Sequence, residues 1–155
     1  MRISSKATYA LRALFDITFH NQGRPTKVDA IAKREDVPAR FLEQIFQDLK
    51  EAELVGSKRG PHGGYFLLKT PESVTVGDII RAVEGPIEHP CCFATDAEVK
   101  QNCALTSKCV TSAVWRDVTV ALDDVLNSVT LADFAEKGDA LGVERATNAD
   151  FNYVI

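Results

Sequence analysis

A chain of 155 residues, 45% apolar and 26% charged, has room for one domain or one domain with an appendage. Its net charge of −4 argues against nucleic-acid binding over the whole surface, and no apolar run approaches the roughly 18 residues that span a membrane. The N-terminal MRISSKATYALRALFDITF is not a signal peptide, because Arg12 and Asp16 interrupt its apolar residues and no small-residue cleavage site follows. The expected location is the cytoplasm, where thiols stay reduced. Charge is unevenly spread. Residues 1–70 hold twelve Lys and Arg against eight Asp and Glu, giving +4, while residues 71–155 hold six against fourteen, giving −8. A basic front can mark an anionic partner, although charges mostly decorate solvated faces.

In chain order, the spacing predicts a helix over 5–20, with Ala7, Ala10, Leu11, Leu14, Phe15 and Thr18 on its inner face. Ser4 or Ser5 can cap its start, and Gly23 and Pro25 mark its stop. A short amphipathic helix follows over 27–35, with Val28, Ile31 and Ala32 inward, then a tight turn at Asp36 and Val37. Pro38 suits the first position of a third helix reaching about Leu54, whose expected inner residues are Phe41, Leu42, Ile45, Leu49 and Ala52. Two β-type runs at 54–57 and 65–69 flank the turn formers RGPHGG and predict a hairpin. Thr75 and Asp78 have the spacing of a capping box for a helix that Gly85 and Pro86 end. A long helix is expected over 110–127 and a short capped one from Thr130 and Asp133, followed by a tail expected to be mobile.

Two short helices, a turn, a third helix and a glycine-rich hairpin predict a fold that is mainly α with a small β-hairpin: a winged helix-turn-helix. In such a unit the third helix enters the major groove. Its outward residues are Ala39, Arg40, Glu43, Gln44 and Gln47. Arg40 can pair with guanine, Gln44 with adenine, and Glu43 can accept from cytosine N4. The hairpin tip carries Lys58, Arg59, Gly60 and His62, and Arg59 could enter a narrow minor groove. Set against this, outward Arg, Glu and Gln residues are most often plain solvated positions, and winged helices also serve as protein-binding modules.

Five stretches carry a resemblance: MRISSKATYALRAL, FLEQIFQDLKEAELVGSKRGPHGGYFL, TVGDIIRAVEGP, CALTSKCVTSAVW and TLADF. Together they cover nearly residues 1–136 and resemble the IscR/NsrR/CymR family of bacterial transcription regulators. The resemblance implies a homodimer, a long dimerisation helix, a palindromic double-stranded DNA operator, and DNA-reading positions at Glu43, Gln44 and Arg59. The apolar stripe Val110, Val114, Val118, Ala121, Leu122 and Val125 supports pairing independently, the other reading being that this helix packs back on its own domain. The expected organisation is a DNA-binding unit over 1–84, a cysteine segment over 85–109, a dimerisation part over 110–136 and a tail over 137–155.

All four cysteines lie in CCFATDAEVKQNCALTSKC, residues 91–109. Ten residues separate Cys92 from Cys103 and five separate Cys103 from Cys109, unlike the close pairs of most structural zinc sites. A disulfide switch needs only two nearby thiols. Asp96, Glu98, Lys100, Gln101 and Asn102 make the segment too polar for inert core cysteines. An iron–sulfur cluster fits best, because thiolates hold such iron and His can replace Cys. The family's cluster-binding members carry three cysteines here, followed by an Ala/Pro-x-Trp stretch, and this chain has Cys109-Val-Thr-Ser-Ala-Val-Trp115. The resemblance therefore implies Cys92, Cys103 and Cys109 as ligands of a [2Fe-2S] or [4Fe-4S] cluster. Two departures are plain. The first gap is longer than the five residues seen in IscR, and Ser112 stands where IscR-like chains place a His. Thr8 stands where other members draw a carboxylate from the partner's first helix. Cys91, His89 or an exchangeable small molecule are the candidates for the fourth position.

An enzyme is not expected, since His20, His62 and His89 sit in no nucleophile motif and RGPHGG lies in a hairpin, not between strand and helix. The expected function is a regulator whose operator affinity follows cluster state, sensing redox state, nitric oxide or iron–sulfur supply. The alternatives are a cluster-free regulator using a thiol switch or a metabolite or protein partner, and a zinc-stabilised interaction module.

Overall fold

The computed structural model describes residues 4–22, 24–86 and 109–146. Gly23, His89, Cys91, Cys92, Cys103 and residues 147–155 lie outside the described residues. The chain folds as α1 (Ser5–Asn21), α2 (Val28–Glu35), α3 (Ala39–Glu51), β1 (Val55–Lys58), β2 (Gly64–Leu67), a 3-10 turn (Pro71–Ser73), α4 (Val76–Glu84), α5 (Val110–Ser128) and α6 (Leu131–Ala140). None of the described helices is long and apolar enough to cross a membrane.

The core is built around α1, which packs against α2, α3, α4, α6 and β2. Three alanines, Ala7, Ala10 and Ala13, are buried and let neighbouring helices approach closely. Burial extends beyond the single stripe read from the sequence: Ile17 and Phe19 are buried as well, while Leu11 and Phe15 are only partly covered. Ser4 is the cap, accepting the Ala7 N–H at 3.2 Å. Gln22 closes α1 and Asp36 closes α2 in the left-handed conformation, and Val37 then turns into the core.

In α3 the buried stripe is Leu42, Ile45, Phe46 and Leu49, at i, i+3, i+4 and i+7. This corrects two assignments. Phe41, expected inside, is 57% exposed, and Ala52 is exposed at the helix end. Phe46 takes the inner place because its ring stacks on Tyr65 of β2, with centroids 4.3 Å apart. Pro38 precedes the helix as its N-cap rather than occupying its first turn.

The hairpin pairs Val55 with Leu67, Gly56 with Phe66, Ser57 with Tyr65 and Lys58 with Gly64. A Cβ at Gly56 would lie 2.5 Å from the tip of the Phe66 ring, so a larger residue there displaces that ring. The hairpin is tied to the loop before α2 by two backbone hydrogen bonds between Thr26 and Tyr65, of 2.8 and 2.9 Å.

Both expected capping boxes are present. Thr75 and Thr130 each accept the N–H of an Asp three residues on, and each Asp accepts in return. The two caps face each other. Val76 N–H donates to Val129 O at 2.9 Å and Leu131 N–H to Val74 O at 3.0 Å, so α4 and α6 start side by side. Leu131 is part of the same core as α1, and Gly138 lies against the Phe15 and Phe19 rings. Beyond α6, Arg145 donates to Phe19 O at 2.9 Å and lies 4.3 Å over the Phe19 ring, while the Ala146 N–H donates to His20 Nδ1 at 3.0 Å. The described part of the segment expected to be mobile is thus helical to Ala140 and pinned at 145–146.

One polar contact sits inside this core. Asp16 on α1 is fully buried and takes both its bonds from Arg34 on α2, Nε at 2.6 Å and Nη2 at 2.7 Å. Replacing Arg34 with Met leaves that carboxylate unpaired and should lower stability by about 3 kcal/mol in urea unfolding. The capping carboxylates give a pH signature. Burial opposes ionisation of Asp78, but hydrogen bonds from Thr75 and the Arg81 side chain outweigh it and hold the carboxyl low; bonds from Thr130 hold Asp133 low as well. Stability from such groups is present above the ordinary aspartate value of 3.8 and lost as pH falls through the lower folded value. A double variant, Asp78→Asn with Asp133→Asn, should therefore show a flatter acid limb in its stability–pH curve than the parent chain.

Candidate nucleic-acid interface

With Leu42, Ile45, Phe46 and Leu49 turned inward, the opposite face of α3 presents Arg40, Glu43, Gln44 and Gln47 to solvent, with Ala39 half-buried at its start. Beside it, β1 and β2 carry Lys58, Arg59, Gly60 and His62 at their exposed tip. The tip is shaped by its glycines. Gly60 adopts φ 108°, and a Cβ at Gly63 would fall 2.2 Å from Lys58 O, so the backbone closes on itself there. The hairpin is fixed relative to α3 by the Phe46–Tyr65 stack and by Lys50, whose ammonium donates to Ser57 Oγ at 3.1 Å. Helix and hairpin tip therefore form one rigid surface, and every α3 and hairpin residue singled out from the sequence as a DNA reader lies exposed on it.

Sequence reasoning missed the aromatic flank of this surface. Tyr9 meets Phe41 edge to face, with centroids 6.5 Å apart. Together with Ser5, Lys6, Gln44 and Ile45 they line a groove of about 400 Å³ between the start of α1 and α3. Lys6 also forms an ion pair with Asp48, N to O 2.7 Å, joining α1 to the second half of α3. The missing signal was which of two nearby phenylalanines faces out, and only the Tyr65 contact decides that.

Of the residues expected to hold metal, Cys109 alone is described. It is a free thiol, half-buried, at the N-cap position of α5 and without a side-chain capping bond. No residue of α5 is buried. Val110, Val114, Val118 and Val125 are 46–77% exposed, Ala121 is exposed and Leu122 half-buried, so the stripe stands open. The helix does pack back on its own chain, against α4, where Arg81 donates to Asp123 and Asn127 near its C-terminal end.

A different set of donors comes together within the described residues. Asp16, His20 and Glu35 place one atom each within 4.8 Å of one another. Both carboxylates are already engaged, Asp16 by Arg34 and Glu35 by Arg12 Nε at 3.0 Å, and the two guanidinium charges repel a cation. Burial pushes the Glu35 carboxyl above its ordinary value, against the Arg12 bond. The grouping is an ion-pair network that joins α1 to α2.

A helix-turn-helix with an exposed reading face and a rigid, Arg-tipped wing defines the class: a winged-helix DNA-binding regulator. Residues 3–137 match the family described as "Rrf2: Iron-dependent Transcriptional regulator". The chain is 35% identical over 150 residues to the HTH-type transcriptional regulator IscR of Yersinia pseudotuberculosis, covering 97% of this chain and 88% of that protein. It superposes on T. potens IscR with a TM-score of 0.73 at 32% identity, over 94% of each chain. It superposes on CymR, the global cysteine regulator of B. subtilis, with a TM-score of 0.70 at 32% identity, over 88% of this chain and 98% of that one. The chain belongs to the Rrf2 family of transcriptional regulators. Its relatives are named as regulators, not enzymes.

Arg59→Ala should weaken binding to a DNA site selected from random sequence about tenfold and reduce the salt slope by about 1. Fluorescence anisotropy titrations at several salt concentrations check both numbers.

Proposed function

We propose that the protein is a homodimeric regulator whose affinity for a palindromic operator is set by an iron–sulfur cluster held by Cys92, Cys103 and Cys109, with Cys91 or His89 as the fourth protein ligand. The observation that carries this reading is the position of Cys109, a free thiol at the start of a helix whose apolar stripe stands open. A second copy covers that stripe, and two reading helices then fall about one DNA turn apart, or a multiple of it. Arg40, Glu43, Gln44 and Gln47 read the major groove while Lys58, Arg59, Gly60 and His62 follow the adjacent backbone and minor groove.

The donor set suits the group: three thiols in one polar segment, one of them at the start of α5. When bound, such a cluster supplies a redox couple and a target for O2 or nitric oxide. The chain's own part is mechanical. Cys109 joins the cysteine segment directly to α5, so any ordering of that segment bears on the direction of the pairing helix. The affinity change equals the difference in contacts the segment makes in its two states. Signals of this kind are redox state, nitric oxide and iron–sulfur supply.

The likeness to CymR supports a second reading, in which the same thiols act without a cluster as a redox switch or with a metabolite or protein partner. Protein purified without oxygen should be coloured and contain iron and sulfide, and Cys103→Ala should abolish both the colour and the dependence of operator binding on oxidation. A colourless protein that stays colourless after addition of iron and sulfide would leave the thiol switch. Stoichiometric zinc in its place would point to a structural metal and an interaction module.

A further inference from the structure

We infer that Arg81 is a positioning residue that sets the direction of α5, and thereby the half-site spacing the dimer accepts; the inference rests on the homodimer reading above. Arg81 lies on α4, just before the chain leaves for the cysteine segment. Its Nη1 donates to Asp123 Oδ1 at 3.1 Å, and its Nη2 donates to Asn127 Oδ1 at 2.7 Å and to Asp78 Oδ1 at 3.1 Å. Asp78 is itself immobilised, because its other oxygen closes the capping box with the Thr75 N–H at 3.0 Å and hydroxyl at 2.8 Å. The guanidinium is therefore anchored in the first turn of α4 and grips α5 at Asp123 and Asn127, one turn apart.

The end of α5 is fixed by other means as well. Gly77 is buried, and a Cβ there would lie 2.2 Å from Asn127 Oδ1, so the two helices touch at this point. The backbone bonds from Val76 to Val129 and from Leu131 to Val74 hold the chain just beyond. A point of contact fixes where α5 ends without fixing where it aims. Two bonds from one rigid planar group to successive turns fix the aim. The lever is long: 19 residues at 1.5 Å each make α5 about 28 Å, so a tilt of ~10° at the joint moves the Cys109 end by ~5 Å. That exceeds the rise of one base pair. Because the stripe on α5 is the surface a second copy covers, the tilt passes directly to the separation of the two reading helices.

The same contacts contribute little to stability. Arg81 is 35% exposed and Asp123 48%, in the range where ion pairs are screened by solvent. A geometric role and a merely structural one are therefore separable. The test uses the full-length protein with palindromes carrying one or two base pairs inserted or removed at the centre, and a single half-site as control. The unaltered chain should favour one spacing by about tenfold over its neighbours. Arg81→Met, and separately the double variant Asp123→Ala with Asn127→Ala, should reduce that preference to less than about threefold, with half-site affinity within about twofold. Arg81→Lys, which keeps the charge but cannot fork, should fall between. Unchanged spacing preference in both variants overturns the inference. So does an equal loss on half-site and palindrome, which would place Arg81 in the folding of the DNA-binding unit. If the unaltered chain does not distinguish palindrome from half-site, the homodimer reading fails first and this inference with it.

Discussion

A carboxylate with no exposure to water, set in the middle of an apolar helix, is the constraint around which this molecule is arranged. Asp16 faces several kcal/mol of desolvation cost if left alone. The fork of Arg34 relieves it by occupying both oxygens, and Arg12 engages the neighbouring Glu35 through one carboxylate oxygen and the backbone carbonyl. Apolar side chains could pack α2 on α1 in several registers; the fork permits one. Only the turn Asp36–Val37–Pro38 separates α2 from α3, so the seat of α2 decides where the reading helix begins and which of its faces turns outward. The outward face of α3 is thus oriented by a charge pair that lies between two other helices.

The remaining joints divide by burial. The contact between α3 and the hairpin is aromatic and half-covered, through Phe46 and Tyr65, and it makes helix and tip one body. Between α4 and α5 the buried Gly77 meets Asn127, and the side-chain hydrogen bonds are those of Arg81, which is partly open to solvent. Buried contacts of the first kind hold shape at a high cost for disruption, whereas solvated contacts of the second kind cost little to rearrange. In the proposed regulator that difference is useful: the reading surface stays constant while its relation to a second copy is free to change.

How much of this was legible depends on distance along the chain. The capping boxes at Thr75 and Thr130 and the hairpin around RGPHGG are set by residues within a few positions of one another, and the fold confirms them to within a residue or two. Phe41 and Phe46 show where local reading stops. Both are apolar residues at the edges of one helical stripe, and the choice between them belongs to Tyr65, which the stripe does not contain. The fork from Arg34 to Asp16 was invisible for the same reason, since nothing in either helix alone announces a partner across the interface. The chemistry of the thiols was legible as composition and spacing, while only Cys109 falls within the described residues.

The packing of α6 bears on how the chain comes into being. Leu131 is a wall of the central core, and Gly138 lies against the rings of Phe15 and Phe19. Arg145 and Ala146 then close over the end of α1. A nascent chain released only as far as residue 84 would hold the reading helix and the hairpin but would expose the flank of α1 that α6 covers. Synthesis runs from the N-terminus at about 5–20 residues per second, so every cysteine is made before that flank is covered. Completion of the DNA-binding unit therefore follows the appearance of the thiols during biosynthesis, and a chain cut short before α6 is an incomplete core, not a smaller regulator.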